Sequence, residues 1–296
     1  VGTQETVSDY VETHNLDLVQ ISTDTYGILA PSAPEEEQTE EISEAEAHDK
    51  CNFHIVNDNI GHGTKEEKYE ANVAAIRTLK KIESENRLAT PEEQEILSGY
   101  VGWGGLDSCF DENNKHYAEL KELLTEEEYT SANASVLTAF YTPPVIMRSM
   151  YKALDNMGFK TGNILDPSCG TGHFMGTLPD SMQDSKMYGV ELDSISGRIA
   201  RQLYQKNNIE IRGYEDSTLP NSYFDVAIGN VPFGGYKGFG SEYNKHNFLI
   251  HDYFFAKSID KVRSGGVIAF ITTNGIGGGT MDKADDRVRR YIAERC

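Results

Sequence analysis

The sequence has no apolar run of the roughly 18 residues that a membrane-spanning helix requires. Its beginning lacks the basic, then apolar, then small-residue order of a secretory signal, so none is expected. Cysteine is scarce: Cys51, Cys109, Cys169 and Cys296 are far apart and form no C-x-x-C pair. We therefore expect no membrane association, no metal site and no disulfide framework, with a reducing cytoplasm as the compartment.

Basic residues are also scarce, because 27 Lys and Arg stand against 47 Asp and Glu, which gives a net charge of −20. Residues 1–50 alone hold 13 acids and one lysine. Since phosphate contacts require clustered Lys and Arg, neither the acidic start nor the remainder is predicted to bind nucleic acid unaided. If the substrate is a nucleic acid, we expect other regions of a longer protein to supply much of the binding.

The first half of the chain is predicted to contain an acidic segment followed by a helical subdomain. Residues 1–51 contain two short strands and then a Pro-, Glu- and Ser-rich stretch that is typical of linkers. Residues 52–138 are predicted to be helical, and the only tryptophan, Trp103, is expected to be packed in their core. A threonine followed three residues later by a glutamate is a capping box that marks a helix start. Such pairs begin at Thr64 and Thr125, and Thr90 with Pro91 at the first helical position marks another helix start.

The second half, residues 139–296, alternates strands with helices. This alternation predicts a mostly parallel sheet with helices on both faces, which is a Rossmann-like α/β fold. The predicted strands are 163–165, 186–190, 209–212, 224–228 and 267–272.

The stretch Asn230-Val231-Pro232-Phe233 follows the apolar strand Val226–Ile228. Ligands of open α/β sheets bind at the carboxyl ends of the strands. An Asn side-chain oxygen and a nearby main-chain carbonyl can accept both hydrogens of an amine, and an aromatic ring can stack on the planar group that carries it. The pattern indicates a site for such a group, although Asn-x-Pro is also an ordinary strand-to-turn ending.

A second motif, Asp166–Phe174, reads DPSCGTGHF and places a Gly-rich turn between a strand and a helix. Glycines let the backbone approach a ligand closely, and a helix N-terminus favours polar or anionic groups. No Gly-Lys-Ser/Thr follows, which excludes a phosphate-binding loop, and Met175 stands where a dinucleotide-binding pattern requires glycine. A small cofactor without a pyrophosphate is predicted.

Acidic residues follow the next two strands. Glu191 comes just after the second strand and is placed to accept hydrogen bonds from both hydroxyls of a ribose. Glu215 and Asp216 follow the third strand, where they either reach an adenine amine or are surface acids, the commoner state of such residues. In sequence order, the ends of the strands therefore carry a Gly-rich loop, then an acid placed to bind a ribose, then two acids placed near an adenine amine, and then the Asn-x-Pro-Phe turn.

With these motifs in this order, the chain resembles class I S-adenosylmethionine-dependent N6-adenine DNA methyltransferases of the γ arrangement. Asp166–Phe174 resembles their cofactor motif, Phe140–Pro144 the motif before it, and Asn230–Phe233 the catalytic (Asn/Asp)-Pro-Pro-(Tyr/Phe). More narrowly, residues 52–296 resemble the methylase region of very large helicase-fused proteins of bacterial conjugative elements and plasmids. Further matching stretches are YVGWGGL, YGVELDSISGRIA, YNKHNFLIHDYFFAK and GGVIAFIT.

The resemblance implies S-adenosylmethionine as cofactor, DNA as substrate, no metal ion, and a bacterial cytoplasmic role in restriction–modification or on a mobile element. It implies that Asn230 and the Val231 carbonyl, in a turn stiffened by Pro232, accept from the target amine while Phe233 stacks on a flipped-out base. The implied cofactor residues are Tyr141, Thr142 and Pro143 around the methionine part, Asp166, Ser168, Gly170, Gly172 and Phe174 in the loop, Glu191 for the ribose with Leu192 beside it, and Glu215 and Asp216 for the adenine.

The chain departs from the family pattern in two respects. Val231 stands where the catalytic motif usually has its first proline, which keeps the main-chain carbonyl but makes the turn less rigid. The strands that usually close the sheet and a target-recognition domain are not found, so a fragment of a longer protein is expected. Two alternatives stay open: related enzymes methylate guanine amines in RNA or glutamine in protein, and a non-catalytic structural module of a mobile-element protein would share the same fold.

Overall fold

The computed structural model describes residues 17–22, 25–29, 49–56, 58, 61–136, 142–234, 237, 243–272 and 286–296. The chain forms two compact units, Val1–Ala47 and His48–Cys296. In the first unit, β1 (Asp17–Ser22) pairs antiparallel with β2 (Thr25–Leu29), in agreement with the two predicted short strands. The division of the second unit near residue 138 stays a prediction.

Helices fill the first part of the second unit. They are α1 (Lys65–Ser84), α2 (Pro91–Ser98), α3 (Tyr117–Leu123), α4 (Glu126–Ser135) and α5 (Pro144–Asn156). The capping boxes predicted at Thr64 and Thr125 are present, and the predicted N-cap Thr90 forms a third. In each, the threonine side chain accepts from the backbone N–H group of the glutamate, whose carboxylate bonds back to the threonine N–H group. The pairs are Thr64 with Glu67, Thr90 with Glu93, and Thr125 with Glu128.

A five-stranded sheet forms the rest of the unit, and all of its strand pairings are parallel. Its strand order is β5-β4-β3-β6-β7. The strands are β3 (Asn163–Asp166), β4 (Lys186–Glu191), β5 (Asn208–Ile211), β6 (Phe224–Asn230) and β7 (Val262–Ile271). They alternate with α6 (His173–Gly176), α7 (Ser194–Leu203) and α8 (Ile250–Lys261), and α9 (Arg287–Ala293) follows β7.

Both faces of the sheet are covered, because successive residues of a strand point to opposite sides. Ile164 and Val226 belong to a buried cluster with α1, α2, α5 and α7, whereas Leu165 and Ala227 belong to a second cluster with α8 and α9. The predicted Rossmann-like fold, with a parallel sheet between two layers of helices, is thereby confirmed.

Most strands match their predicted bounds to within two residues, and two elements differ more. β7 begins at Val262 rather than at Val267, because Val262 already pairs with Phe224. Gly265 and Gly266, which were predicted to form a turn, lie where the register between β6 and β7 shifts. The helix predicted after Gly172 is the single turn α6.

Polar contacts join the helices to the sheet layer. Glu128 of α4 is buried and accepts from Lys80 of α1 at 2.7 Å and from Arg198 of α7. The Gln94 side chain of α2 donates to the carbonyl of Gln202 at 2.8 Å. These bonds fix α1, α2 and α4 against the helix that follows β4.

Trp103 is packed as predicted, with 1% of its surface exposed and its ring edge-on to Tyr69 and Phe110. Within the described ranges, no helix is both long enough and apolar enough to cross a membrane. Nor do His, Cys, Asp and Glu side chains of those ranges form any group of three or more suited to a metal ion.

Candidate active site

The predicted motifs meet where the strand order reverses. From β3 the chain continues outward to β4 and β5, then returns to place β6 on the other side of β3. The carboxyl ends of β3 and β6 therefore border the crevice in which ligands of open α/β sheets bind. Asp166 ends β3 and Asn230 ends β6.

Asn230 holds a buried polar atom with no partner. Its side-chain Oδ1 is shielded from solvent, and no residue in the described part of the chain donates a hydrogen bond to it. Its main-chain carbonyl accepts from the Ser168 Oγ at 3.0 Å, which ties the end of β6 to the loop after β3. A buried amide oxygen without a donor is costly, so the arrangement suits a ligand that brings one.

The three residues after Asn230 divide between core and surface. Val231 is 1% exposed, and its N–H donates to the Ile271 carbonyl at 3.2 Å. Pro232 is half-buried, whereas the Phe233 ring is 43% exposed. Since large aromatic rings are usually buried, an exposed Phe three residues from an unpartnered amide points to a stacking surface.

Asp166 lies beneath the Gly-rich loop. It is 1% exposed, and burial, together with the nearby Glu191 charge, raises the pKa of its carboxyl to about 8, while a hydrogen bond from the Ser168 N–H opposes this shift. A Cβ on Gly229 of β6 would lie 2.6 Å from Asp166 Oδ1. Only glycine at that position leaves room for the carboxyl group.

The loop itself requires two glycines in the left-handed region. Gly170 has φ +56° and Gly172 has φ +84°, where other residues are strained. A Cβ on Gly172 would also lie 2.4 Å from the Tyr204 ring. The Thr171 hydroxyl between them is buried and has no hydrogen-bond partner among the described residues.

Phe174, by contrast, faces the protein interior. It is 4% exposed, its ring lies 6.3 Å from that of Tyr151, and its carbonyl accepts from the Tyr151 hydroxyl at 2.8 Å. Its place in a cofactor pocket stays a prediction, and the packing shows that it supports the loop from behind.

Glu191, at the end of β4, holds the Gly-rich loop through a hydrogen bond. One carboxylate oxygen accepts from the Gly170 N–H at 2.7 Å and the other from the Asp193 N–H at 2.7 Å. Burial, together with the nearby Asp193 charge, raises the pKa of Glu191 to about 7, and hydrogen bonds from the backbone N–H groups of Asp193, Gly170 and Leu192 oppose this shift. A carboxylate can accept about four hydrogen bonds, so capacity remains for the hydroxyls of a ligand. Leu192, next in the chain, is 75% exposed and offers apolar surface there.

The two acids after β5 that were predicted to reach an adenine amine lie on the surface. Glu215 and Asp216 are exposed on a single 3₁₀ turn, Tyr214–Asp216. Lys257 of α8 fixes this turn by donating to the carbonyls of Tyr214 at 2.5 Å and Glu215 at 2.9 Å. Both carboxylates are thus presented to solvent after β5, and their contact with an adenine stays a prediction.

The segment before the loop is described only in part. Tyr141 lies outside the described residues, as does Phe140. Thr142 is buried, and Pro143 is exposed immediately before α5.

The sequence did not indicate one contact near the site. Ser131 in α4 donates to Asp193 Oδ1 at 2.9 Å, and Asp193 caps α7 through the Ser196 N–H. The helical layer therefore reaches the turn that carries Glu191. A serine within a helix has no spacing signal that would have predicted this role.

The chain matches known proteins over most of this region. The N-6 DNA Methylase family matches residues 118–296. Defense against restriction protein B of Escherichia phage P1 is 30% identical over 232 residues, which are 77% of this chain and 9% of that protein. Modification methylase CviBIII of Paramecium bursaria Chlorella virus NC1A is 25% identical over 157 residues, which are 51% of this chain and 42% of that protein.

Solved structures are also similar. One is the TehB-like SAM-dependent methyltransferase from Corynebacterium glutamicum, which is 17% identical, with coverage of 48% of this chain and 71% of that one and a TM-score of 0.34. The chain spans less than half the length of both the phage protein and the viral methylase.

Proposed function

The chain belongs to the N-6 DNA Methylase family, and from this premise we propose that it transfers a methyl group from S-adenosylmethionine to the N6 amine of adenine in DNA. The family predicted from the sequence is confirmed by the match over residues 118–296. The finer assignment, an adenine-specific DNA methyltransferase that acts at a defined site, is part of the proposal. Restriction and modification, named in the relatives, are the setting that we propose for it.

The buried, unpartnered Oδ1 of Asn230 is the observation that carries this function. An exocyclic amine brings the donor that this oxygen lacks, and a second amine hydrogen can go to the Val231 carbonyl. When both hydrogens are accepted in this way, the nitrogen lone pair is directed out of the base plane. Orientation of this kind contributes several kcal/mol to a group transfer without a strong base.

Phe233 supplies the surface for the base. Its ring is 43% exposed and follows Asn230 by three residues, so we infer that an adenine rotated out of the duplex stacks on it. Stacking offsets part of the unpairing energy and does not depend on the identity of the neighbouring bases.

The other side of the crevice suits the cofactor, which supplies an activated methyl group when bound. Glu191 has free acceptor capacity for ribose hydroxyls, and the exposed Leu192 offers apolar contact beside it. The Gly170 and Gly172 backbone permits close approach of a ligand, and Asp166 fixes the Ser168 N–H from below. Gly229 of β6 leaves room for the Asp166 carboxyl group at the end of β3, so the strand that carries Asn230 packs closely against the strand that carries the cofactor loop.

Methyl transfer from labelled S-adenosylmethionine to unmethylated DNA, RNA and protein tests the proposal. We expect label in the N6 position of DNA adenine with the wild-type chain and its loss in Asn230→Ala. Label found in RNA alone would refute DNA as the acceptor. No detectable cofactor binding in titration calorimetry would instead favour the structural-module alternative.

A further inference from the structure

Basic side chains are concentrated beside the candidate active site. Segment 243–249 and residues 286–296, which include α9, together hold five Lys and Arg and two Asp and Glu, whereas the rest of the sequence holds 22 and 45. A chain with a net charge of −20 repels a polyanion over most of its surface. Local positive charge therefore matters most where a nucleic acid has to approach. The five cations, called the α9 ridge here, are Lys245, Arg287, Arg289, Arg290 and Arg295.

Packing places the α9 ridge on the face of the sheet that buries part of the catalytic motif. Val288 and Tyr291 of α9 are buried in the same cluster as Val231, the neighbour of Asn230. The Tyr291 ring lies 5.2 Å from that of His246, whose carbonyl accepts from Arg287 at 3.1 Å. Segment 243–249 leads from β6 into α8, and the connection between two parallel strands starts at the carboxyl edge of the sheet. Helix α9 and segment 243–249 thus form one surface at the edge where β6 ends.

Arg289 differs from the other arginines of the chain. Each of the others donates a hydrogen bond or forms an ion pair. Arg289 does neither with any residue that the structure describes, although its Nε is buried. Lys245 is exposed and is likewise without an ion pair among the described residues.

Such cations suit phosphate oxygens. A guanidinium group presents a planar fork of donors that matches phosphate, and a buried N–H without an acceptor is costly until an anion supplies one. The flanking charges add to the local field at little cost, since the ion pair of Arg290 with Asp286 at 2.6 Å is exposed on both sides and therefore weak.

We propose that Lys245 and Arg289, flanked by Arg287 and Arg290, bind the phosphates of the DNA strand whose adenine enters the active site. This inference rests on the proposed function, since it takes DNA as the substrate. It also revises the expectation that binding comes chiefly from elsewhere: the α9 ridge sets the register of the strand at the crevice, and other regions of a longer protein add affinity.

Salt-dependent binding of a fluorescein-labelled DNA duplex to the full 296-residue chain tests the α9 ridge, with fluorescence anisotropy as the readout. The variant is Lys245→Gln with Arg289→Gln. Each lost phosphate contact lowers the slope of log Kd against log salt by about 0.9. We expect the double variant to lower the slope by about 1.8 and to raise Kd at low salt by about tenfold. Its melting temperature should not fall, and its affinity for S-adenosylmethionine should be unchanged.

The matched control is Lys152→Gln with Lys186→Gln. Both lysines are exposed, and Lys186 begins β4 at the amino ends of the strands, away from the carboxyl ends that border the crevice. This pair removes the same charge and should leave the slope unchanged. An unaltered slope in the ridge variant, or an equal loss in the control, would overturn the proposal, as would tighter binding of an RNA duplex of the same sequence. Methyl transfer is measured in parallel: failure of the wild-type chain to methylate DNA contradicts the proposed function, whereas transfer with an unaltered slope in the ridge variant contradicts the ridge alone.

Discussion

Replacement of Asn230 by alanine should lower the rate of methyl transfer without destabilising the folded protein. Most buried polar groups are satisfied within the fold, so their removal destabilises the protein. The Oδ1 of Asn230 has no donor among the described residues, so the folded state loses no hydrogen bond when the side chain is shortened. Asn230→Ala should therefore impair the reaction and leave the fold intact.

The magnitudes follow from this geometry. A buried acceptor without a donor costs the folded state about 1–3 kcal/mol, and the small loss of packing opposes the gain from its removal. We expect the free energy of unfolding to be unchanged or to rise by about 1 kcal/mol, which raises Tm by about 2 °C in a chain of this size. The rate of methyl transfer should fall by about 100-fold to 1,000-fold, the cost of losing one preorganised hydrogen bond to a reacting group.

The assay pairs single-turnover transfer of labelled methyl groups with urea unfolding of the same preparations. Asn72→Ala is the matched control, because Asn72 is fully buried and both polar atoms of its side chain are bonded: the nitrogen donates to the Gly102 carbonyl at 2.7 Å and the oxygen accepts from the Val101 N–H at 2.8 Å. Its removal should cost about 2–4 kcal/mol of stability, since it leaves two backbone groups unpaired, while the folded fraction keeps its rate. A loss of stability in Asn230→Ala as large as in Asn72→Ala would show that Asn230 is bonded within the fold, and an unaltered rate would show that it does not bind the target amine.

Further outcomes follow from the same contacts. Gly229→Ala should weaken cofactor binding in titration calorimetry, because its Cβ would lie 2.6 Å from Asp166 Oδ1; unchanged affinity would contradict that packing. Burial raises the pKa of Asp166 to about 8 and that of Glu191 to about 7. Since the folded state retains protons that the unfolded state has released, stability should decline from about pH 5 to pH 8, and Glu191→Gln should flatten the decline in urea titrations. Glu128→Gln should cost about 1–3 kcal/mol, because it leaves Arg198 beside a buried neutral group; equal stability would show that the pair contributes nothing.

Local chemistry made the helix starts predictable. At Thr64, Thr90 and Thr125, the capping bonds involve residues only three apart, so the sequence contains all that is needed. The start of β7 was not predictable in this way. Val262 extends the strand because Phe224 lies opposite, and that partner is remote in sequence.

Some features of the candidate site could likewise be predicted from the sequence, and others could not. The meeting of Asp166 and Asn230 follows from strand order, because parallel strands end at one edge of the sheet. The unpartnered amide of Asn230 and the bond from Ser168 depend on burial and on distances between remote segments, which no spacing rule supplies. The contact of the Phe174 ring with Tyr151 likewise joins segments remote in sequence, and the place of Phe174 in the cofactor pocket stays a prediction.

The position of β6 between β3 and β7 has a consequence for folding. The strands β3, β4 and β5 follow one another along the chain and pair in that order, so the half of the crevice with Glu191 is built from contacts of modest sequence separation. Its other half requires Val226 to pair with Ile164, a much longer closure that is intrinsically slower. During synthesis, the edge of β3 therefore stays open until β6 has been made. We expect pulse-labelled hydrogen exchange to show the amides of β4 protected before those of β6, and simultaneous protection would contradict this order.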